Sequence, residues 1–239
     1  MNSDGEGRSV AERRPVAGVI FDVDGTLTRT NDLIFASFNY VAQKYCGRRY
    51  TPPEIIAFFG PPEEGALVRI VGEEALGPAM EDLCAFYREN HAGMAGLHDG
   101  IEETLAHLRE QGIPLAVFTG KGRRTTLITL EALNIDGYFD LIVSGSDVRR
   151  HKPHPEGIRQ VLDRFSLPPA DVLMVGDSLG DITSARDAGV TPVAALWDSY
   201  DRERVLGASP AYAFESVGDL GSWFRTGVRY PSRTAEGNS

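Results

Sequence analysis

Five short runs of apolar, largely β-branched residues, at positions 16–23, 113–118, 141–143, 172–175 and 193–196, carry little polar alternation inside them. A strand with one wet face alternates polar and apolar side chains; a strand buried on both faces does not. Between the runs the apolar residues recur at helical spacing, as in Ile101, Leu105 and Leu108, in Leu127, Leu130 and Leu133, and in Ile158, Val161, Leu162 and Phe165. Buried strands alternating with amphipathic helices predict an α/β fold with a doubly wound parallel sheet, a Rossmann-like core.

One interval breaks this rhythm. From about residue 28 to about residue 96 there is no strand pattern, but Ile34, Phe38, Val41 and Tyr45, and then Leu76, Met80, Leu83 and Tyr87, mark amphipathic helices. The chain returns through Gly93, Gly96 and Gly100, which reads as a flexible connection. The expected organisation is a core of residues 15–28 and 97–228, a helical cap domain of residues 29–96, and disordered tails at 1–14 and 229–239.

A chain of 239 residues with 42% hydrophobic side chains can bury a sizeable core, and its formal charge of -10 argues against a nucleic acid or an anionic membrane as partner. No stretch approaches eighteen apolar residues and the first fifteen hold no signal-like apolar segment. Cys46 and Cys84 are too few for a disulfide framework or a cysteine-based zinc site and read as small buried hydrophobes. A cytoplasmic protein, monomer or homodimer, is expected.

The chemistry concentrates at the ends of the apolar runs. Asp22-Val23-Asp24-Gly25-Thr26 follows the first, Thr119-Gly120-Lys121 the second, a loop leading to Lys152-Pro153 the third, and Gly176-Asp177-Ser178 with Asp181 the fourth. In a parallel sheet the carboxyl ends of the strands share one edge, so these groups would converge where open α/β folds bind ligands. Each motif also has a purely structural reading. Asp-Gly favours turns, Thr119-Gly120 and Pro153 can start helices, and Ser178 with Asp181 can form an N-terminal cap. A calcium loop is excluded because its sixth and twelfth places hold Leu27 and Leu33, and a P-loop is excluded because Leu115 stands where its first glycine belongs. Two of the three lysines, Lys121 and Lys152, fall in these loops; a compact ammonium suits a phosphoryl group lying beside carboxylates.

Taken together, Asp22-x-Asp24-Gly25-Thr26, Thr119, Lys152-Pro153 and Gly176-Asp177-Ser178-x-x-Asp181 resemble, in order, the four motifs of the haloacid dehalogenase-like hydrolases, in the branch whose helical cap follows the first motif. The resemblance implies that Asp22 attacks phosphorus to form an aspartyl-phosphate and that Asp24 protonates the leaving oxygen and then activates water. It implies that Thr119, Gly120 and Lys152 hold the phosphate, that Mg2+ binds to Asp22, the Asp24 backbone carbonyl and Asp177, and that Ser178 and Asp181 support the site. Asp24 further points away from the family's dehalogenases and phosphonate-cleaving members, which lack it. The expected function is a phosphoglycolate phosphatase-like, magnesium-dependent hydrolysis of a small phosphorylated metabolite. The alternatives are a β-phosphoglucomutase-like phosphotransferase and a non-catalytic phospho-ligand binding module. The segment Gly60-Pro61-Pro62-Glu63-Glu64-Gly65 resembles a substrate-covering loop of this branch or is a connection between cap helices, and Arg69 or Lys44 could meet a second anionic group of the substrate.

Overall fold

The computed structural model describes residues 15–229. In chain order the main elements are β1 (Gly18–Phe21), β2 (Thr28–Arg29), α1 (Asn31–Cys46), α2 (Pro52–Ile56), α3 (Glu63–Val71), α4 (Glu73–Met94), β3 (Gly96–Leu97), α5 (Ile101–Glu110) and β4 (Leu115–Phe118). They continue with α6 (Arg123–Ala132), β5 (Leu141–Val143), α7 (Glu156–Phe165), β6 (Val172–Gly176), α8 (Leu179–Ala188), β7 (Thr191–Ala195), α9 (Arg202–Gly207), β8 (Tyr212–Phe214) and α10 (Val217–Thr226). Among the described residues, six strands form one parallel sheet in the order β5-β4-β1-β6-β7-β8.

The missing polar alternation of the apolar runs has its cause here. In β1, Val19 and Phe21 enter a core layer with Ile101, Leu105, Leu220 and Phe224 of α5 and α10, while Ile20 enters the opposite layer with Ile158 and Val161 of α7. β4 and β6 divide in the same way, Val117 and Val175 to one side, Phe118 and Met174 to the other. Helices cover both faces, so every position of these strands is apolar. The strand order reverses around β1. From it the chain builds outward through β4 to β5, then crosses back to β6 and outward again. A crevice opens beyond the carboxyl ends at such a reversal.

Helices α1 to α4 surround their own apolar cluster, in which Leu33, Phe38, Leu67, Leu83 and Tyr87 meet, joined by Ile128 of α6. No helix among the described residues is long and apolar enough to cross a membrane.

The structure differs from the sequence expectation at four places. Thr28 and Arg29 pair antiparallel with Leu97 and Gly96, so the connection expected to be a flexible glycine segment is partly a two-stranded ribbon; Gly93 lies inside α4. Two-residue strands are too short to show a period. The edge strand β8 was not legible because its side chains are only half covered. Cys46, read as buried, is exposed at the end of α1, whereas Cys84 is buried as expected. Of the expected tails, 1–14 and 230–239 lie outside the described residues, while the carbonyl of Arg229 accepts a hydrogen bond from the Val16 amide at 2.8 Å.

Candidate active site

The four motifs meet at the reversal point. Asp22 extends the pairing of β1, its amide donating to the Val175 carbonyl at 2.9 Å, so its side chain emerges next to the end of β6. The turn that follows folds onto Val23, whose carbonyl receives the amides of Thr26, Leu27 and Thr28. Gly25 adopts φ 78, and a Cβ there would lie 2.8 Å from Asp177 Oδ2. Glycine is therefore required both for the left-handed backbone and for the approach of Asp177. Thr26 completes this junction by donating to Asp177 Oδ1 at 3.0 Å.

Thr119 is buried at the end of β4, and its hydroxyl accepts from the Lys121 amide at 3.2 Å. Gly120 lines the same cavity beside the Gly60 carbonyl. Lys152 arrives from the loop after β5 and donates to Asp22 Oδ1 at 2.9 Å and to Asp181 Oδ1 at 2.5 Å. At the start of α8, Ser178 accepts from the Asp181 amide, and Asp181 Oδ2 receives the Ser178 amide at 3.0 Å and hydroxyl at 2.6 Å. The cap reading of Ser178 and Asp181 holds, and the second Asp181 oxygen is left to meet Lys152.

Asp22, Asp177 and Asp181 can each place one carboxylate oxygen within 4.8 Å of the others, at 8%, 8% and 0% exposure. One ammonium, Lys152, sits among them. Burial, opposed by Lys152 and reinforced by Asp181, pushes the Asp22 carboxyl up to about 6. Burial and the neighbouring Asp22 and Asp181 raise Asp177 well above the carboxylate range. Burial opposes the Lys152 ammonium, yet Asp181 and Asp22 outweigh it and hold its pKa above the ordinary lysine value. Carboxyl groups disfavoured in their charged form beside a lysine held in its charged form describe a site short of positive charge. Oxygen donors alone, in such a site, fit a hard divalent cation.

A family model described as haloacid dehalogenase-like hydrolase matches residues 19–195. The chain belongs to this family. It is 35% identical over 209 residues to a candidate pyrophosphatase PpaX from Caldanaerobacter subterraneus subsp. tengcongensis, covering 86% of this chain and 93% of that protein. It is 32% identical over 202 residues to pyrophosphatase PpaX from Anoxybacillus flavithermus, covering 84% and 94%. A crystal structure of a predicted phosphoglycolate phosphatase from Haemophilus somnus superposes with a TM-score of 0.78 at 25% identity, covering 87% of this chain and 97% of that one.

Three further residues line the cavity: Lys121 and Glu63, which fall in segments the sequence marks, and Tyr87, which it does not mark. Lys121 is buried, with its ammonium 2.6 Å from the Tyr87 hydroxyl, 3.3 Å from Asp24 Oδ2 and 3.9 Å from Glu63 Oε1. Asp24 Oδ1 also accepts from Thr30 at 2.5 Å. Glu63, in the first turn of α3, accepts from the Gly122 amide at 2.6 Å and from the Thr125 hydroxyl at 2.5 Å, both at the start of α6. The substrate-loop reading of residues 60–65 had signalled this region, since Gly60, Pro61 and Glu63 line the cavity. Tyr87 was hidden in an apolar helical stripe. Arg69 and Lys44 do not line the cavity: Arg69 lies over the Phe58 ring at 4.9 Å and Lys44 pairs with Asp82 at 2.6 Å.

Proposed function

We propose that this hydrolase is a magnesium-dependent phosphatase that releases phosphate from small phosphomonoesters through a phosphoaspartate on Asp22. The observation that carries the reading is the meeting of Asp22, Asp24, Thr119, Lys152 and Asp177 around one cavity of about 600 Å³. In this reading residues 29–96 act as a cap over a core of 15–28 and 97–228, and the free thiols Cys46 and Cys84 fit a cytoplasmic enzyme.

Lys152 and Thr119 hold the phosphoryl oxygens, with the Gly120 backbone beside them. An Asp22 oxygen forms a bond to phosphorus as the ester bond breaks, and the Asp24 carboxyl delivers its proton to the departing oxygen. Water then attacks phosphorus, gives a proton to Asp24, and the bond to Asp22 breaks. A divalent cation on Asp22, the Asp24 backbone carbonyl and Asp177 would supply positive charge against the repulsion between carboxylate and phosphoryl group. Ser178 and Asp181 keep Lys152 aligned.

The test is phosphate release, with and without Mg2+, from a panel of phosphomonoesters and pyrophosphate, the last included because the relatives are named pyrophosphatases. Asp22→Asn should abolish release while remaining folded by circular dichroism. Turnover in that variant at the wild-type rate removes Asp22 as nucleophile.

A further inference from the structure

We propose that the leaving-group half of the cavity selects phosphomonoesters of uncharged, apolar alcohols, above all aromatic ones, over substrates carrying a second anion. The proposal rests on the phosphatase reading and narrows it. Beyond Asp22, Thr119 and Lys152 the cavity is walled by the cap, with Ile34 and Phe38 from α1, Ile56 from the end of α2, and Phe58, Phe59 and Pro61 from the stretch between α2 and α3. Across from α1, on the core side, Tyr200 also lines the cavity and lies with its ring 6.3 Å from that of Phe35.

Two observations give this wall a preference. The first is exposed apolar surface. Four large hydrophobic side chains are exposed among the described residues; two of them, Phe59 at 42% and Tyr200 at 50%, line this cavity. Apolar surface left wet in a concave site gains by covering itself with an apolar ligand.

The second is the distribution of charge. Among the described residues, the cationic side chains lining the cavity are Lys121, Lys152 and Arg204. Lys152 is occupied by Asp22 and Asp181 at the phosphoryl end. Lys121, its side chain only 2% exposed, is enclosed by Tyr87, Asp24 and Glu63. Arg204 pairs with Asp201 at 2.9 Å and stands 69% exposed. The carboxylates of Asp24, Glu63 and Asp201 line the same cavity. A substrate carboxylate or second phosphoryl group would leave water for a wall of rings and acids, and an ion desolvated without a partner is strongly disfavoured. A phenyl or alkyl group meets no such penalty.

The experiment compares kcat/KM for benzyl phosphate, methyl phosphate, phosphoglycolate and pyrophosphate at one Mg2+ concentration. Benzyl alcohol and the glycolate hydroxyl are comparable leaving groups, and pyrophosphate has an easier one, so a preference for benzyl phosphate reports the wall. Benzyl phosphate should exceed phosphoglycolate and pyrophosphate by about tenfold or more, since a single methylene in an apolar pocket already discriminates by about tenfold. Phe59→Ser should remove most of that margin through KM, and Phe59→Lys should raise phosphoglycolate turnover relative to benzyl phosphate. Phosphoglycolate or pyrophosphate turned over as well as benzyl phosphate overturns the proposal and leaves the phosphatase reading standing. A margin unmoved in both Phe59 variants also overturns it. No phosphate from any of the four overturns both.

Discussion

Asp181 divides its two carboxylate oxygens between a helix cap and Lys152, so its removal has two separable effects. Asp181→Ala leaves the first turn of α8 without its reciprocal cap, worth about 1 kcal/mol, and takes from Lys152 one of its two carboxylate partners. The variant should lose stability in urea denaturation and also lose turnover, because Lys152 keeps only Asp22 as an anchor. Wild-type stability would show that the pair is not needed to hold α8. Gly25→Ala should be nearly as harmful to activity. An alanine at φ 78 costs about 1–2 kcal/mol, and its Cβ would displace Asp177. Phosphate release within a few-fold of wild type would show that Asp177 can move without consequence. At this scale the motif residues were legible because carboxylates, threonine and lysine at successive strand ends have few other uses together. Lys121 and Glu63 were legible only as members of marked segments, because their partners come from segments far apart in sequence, and Tyr87 by itself reads as one more apolar position on a helix.

Both α3 and α4 meet α6: Glu81 of α4 pairs with Arg124 at 2.8 Å, and α3 contributes Glu63. Glu63 places its carboxylate on the Gly122 amide at the N-terminus of α6, where a helix favours negative charge, and on the Thr125 hydroxyl one turn further. Glu63→Ala leaves the buried Gly122 amide without its acceptor, at about 1–3 kcal/mol, while the Thr125 hydroxyl keeps the Gly122 carbonyl at 3.2 Å. Hydrogen exchange should quicken in α3 and in the first turn of α6 before it changes in β1, and KM should rise more than kcat falls. Uniform exchange across α3 and β1 would mean that Glu63 does not fasten the cap. Helices α1 and α4 and the main strands were legible because apolar periodicity survives over more than ten residues, or over a run buried on both faces; α2 and α3, five and nine residues long, were not, and α3 begins inside the segment 60–65 that reads as a loop. The ribbon of β2 and β3 was missed because pairing of two residues leaves no period, and β8 because an edge strand shows only part of a pattern.

For the molecule as a whole, the doubly wound sheet gathers acids at one edge more readily than it neutralises them. Asp22 and Asp177 both carry pKa values raised from 3.8 by burial, Asp22 to about 6. A carboxyl raised in the folded state stabilises the fold below its unfolded pKa, and that contribution is lost as pH rises through the folded value. The metal-free protein should therefore melt at a lower temperature at about pH 7.5 than at about pH 5. Mg2+ should raise the melting temperature more at the higher pH, since it binds the ionised carboxylates. An equal shift at both values, measured by scanning fluorimetry, would place the ion elsewhere.

The central claim is that carboxylates from separate strand ends form one cation-dependent site. Its most direct test is the rate of phosphate release as Mg2+ is titrated into chelator-stripped protein, wild type beside Asp177→Asn. Stripped wild type should show no activity and then a single saturable recovery, with a midpoint at least about tenfold higher in Asp177→Asn, the size of effect expected when a metal-site residue is changed. Full activity in stripped protein, or the same midpoint in both, would contradict it.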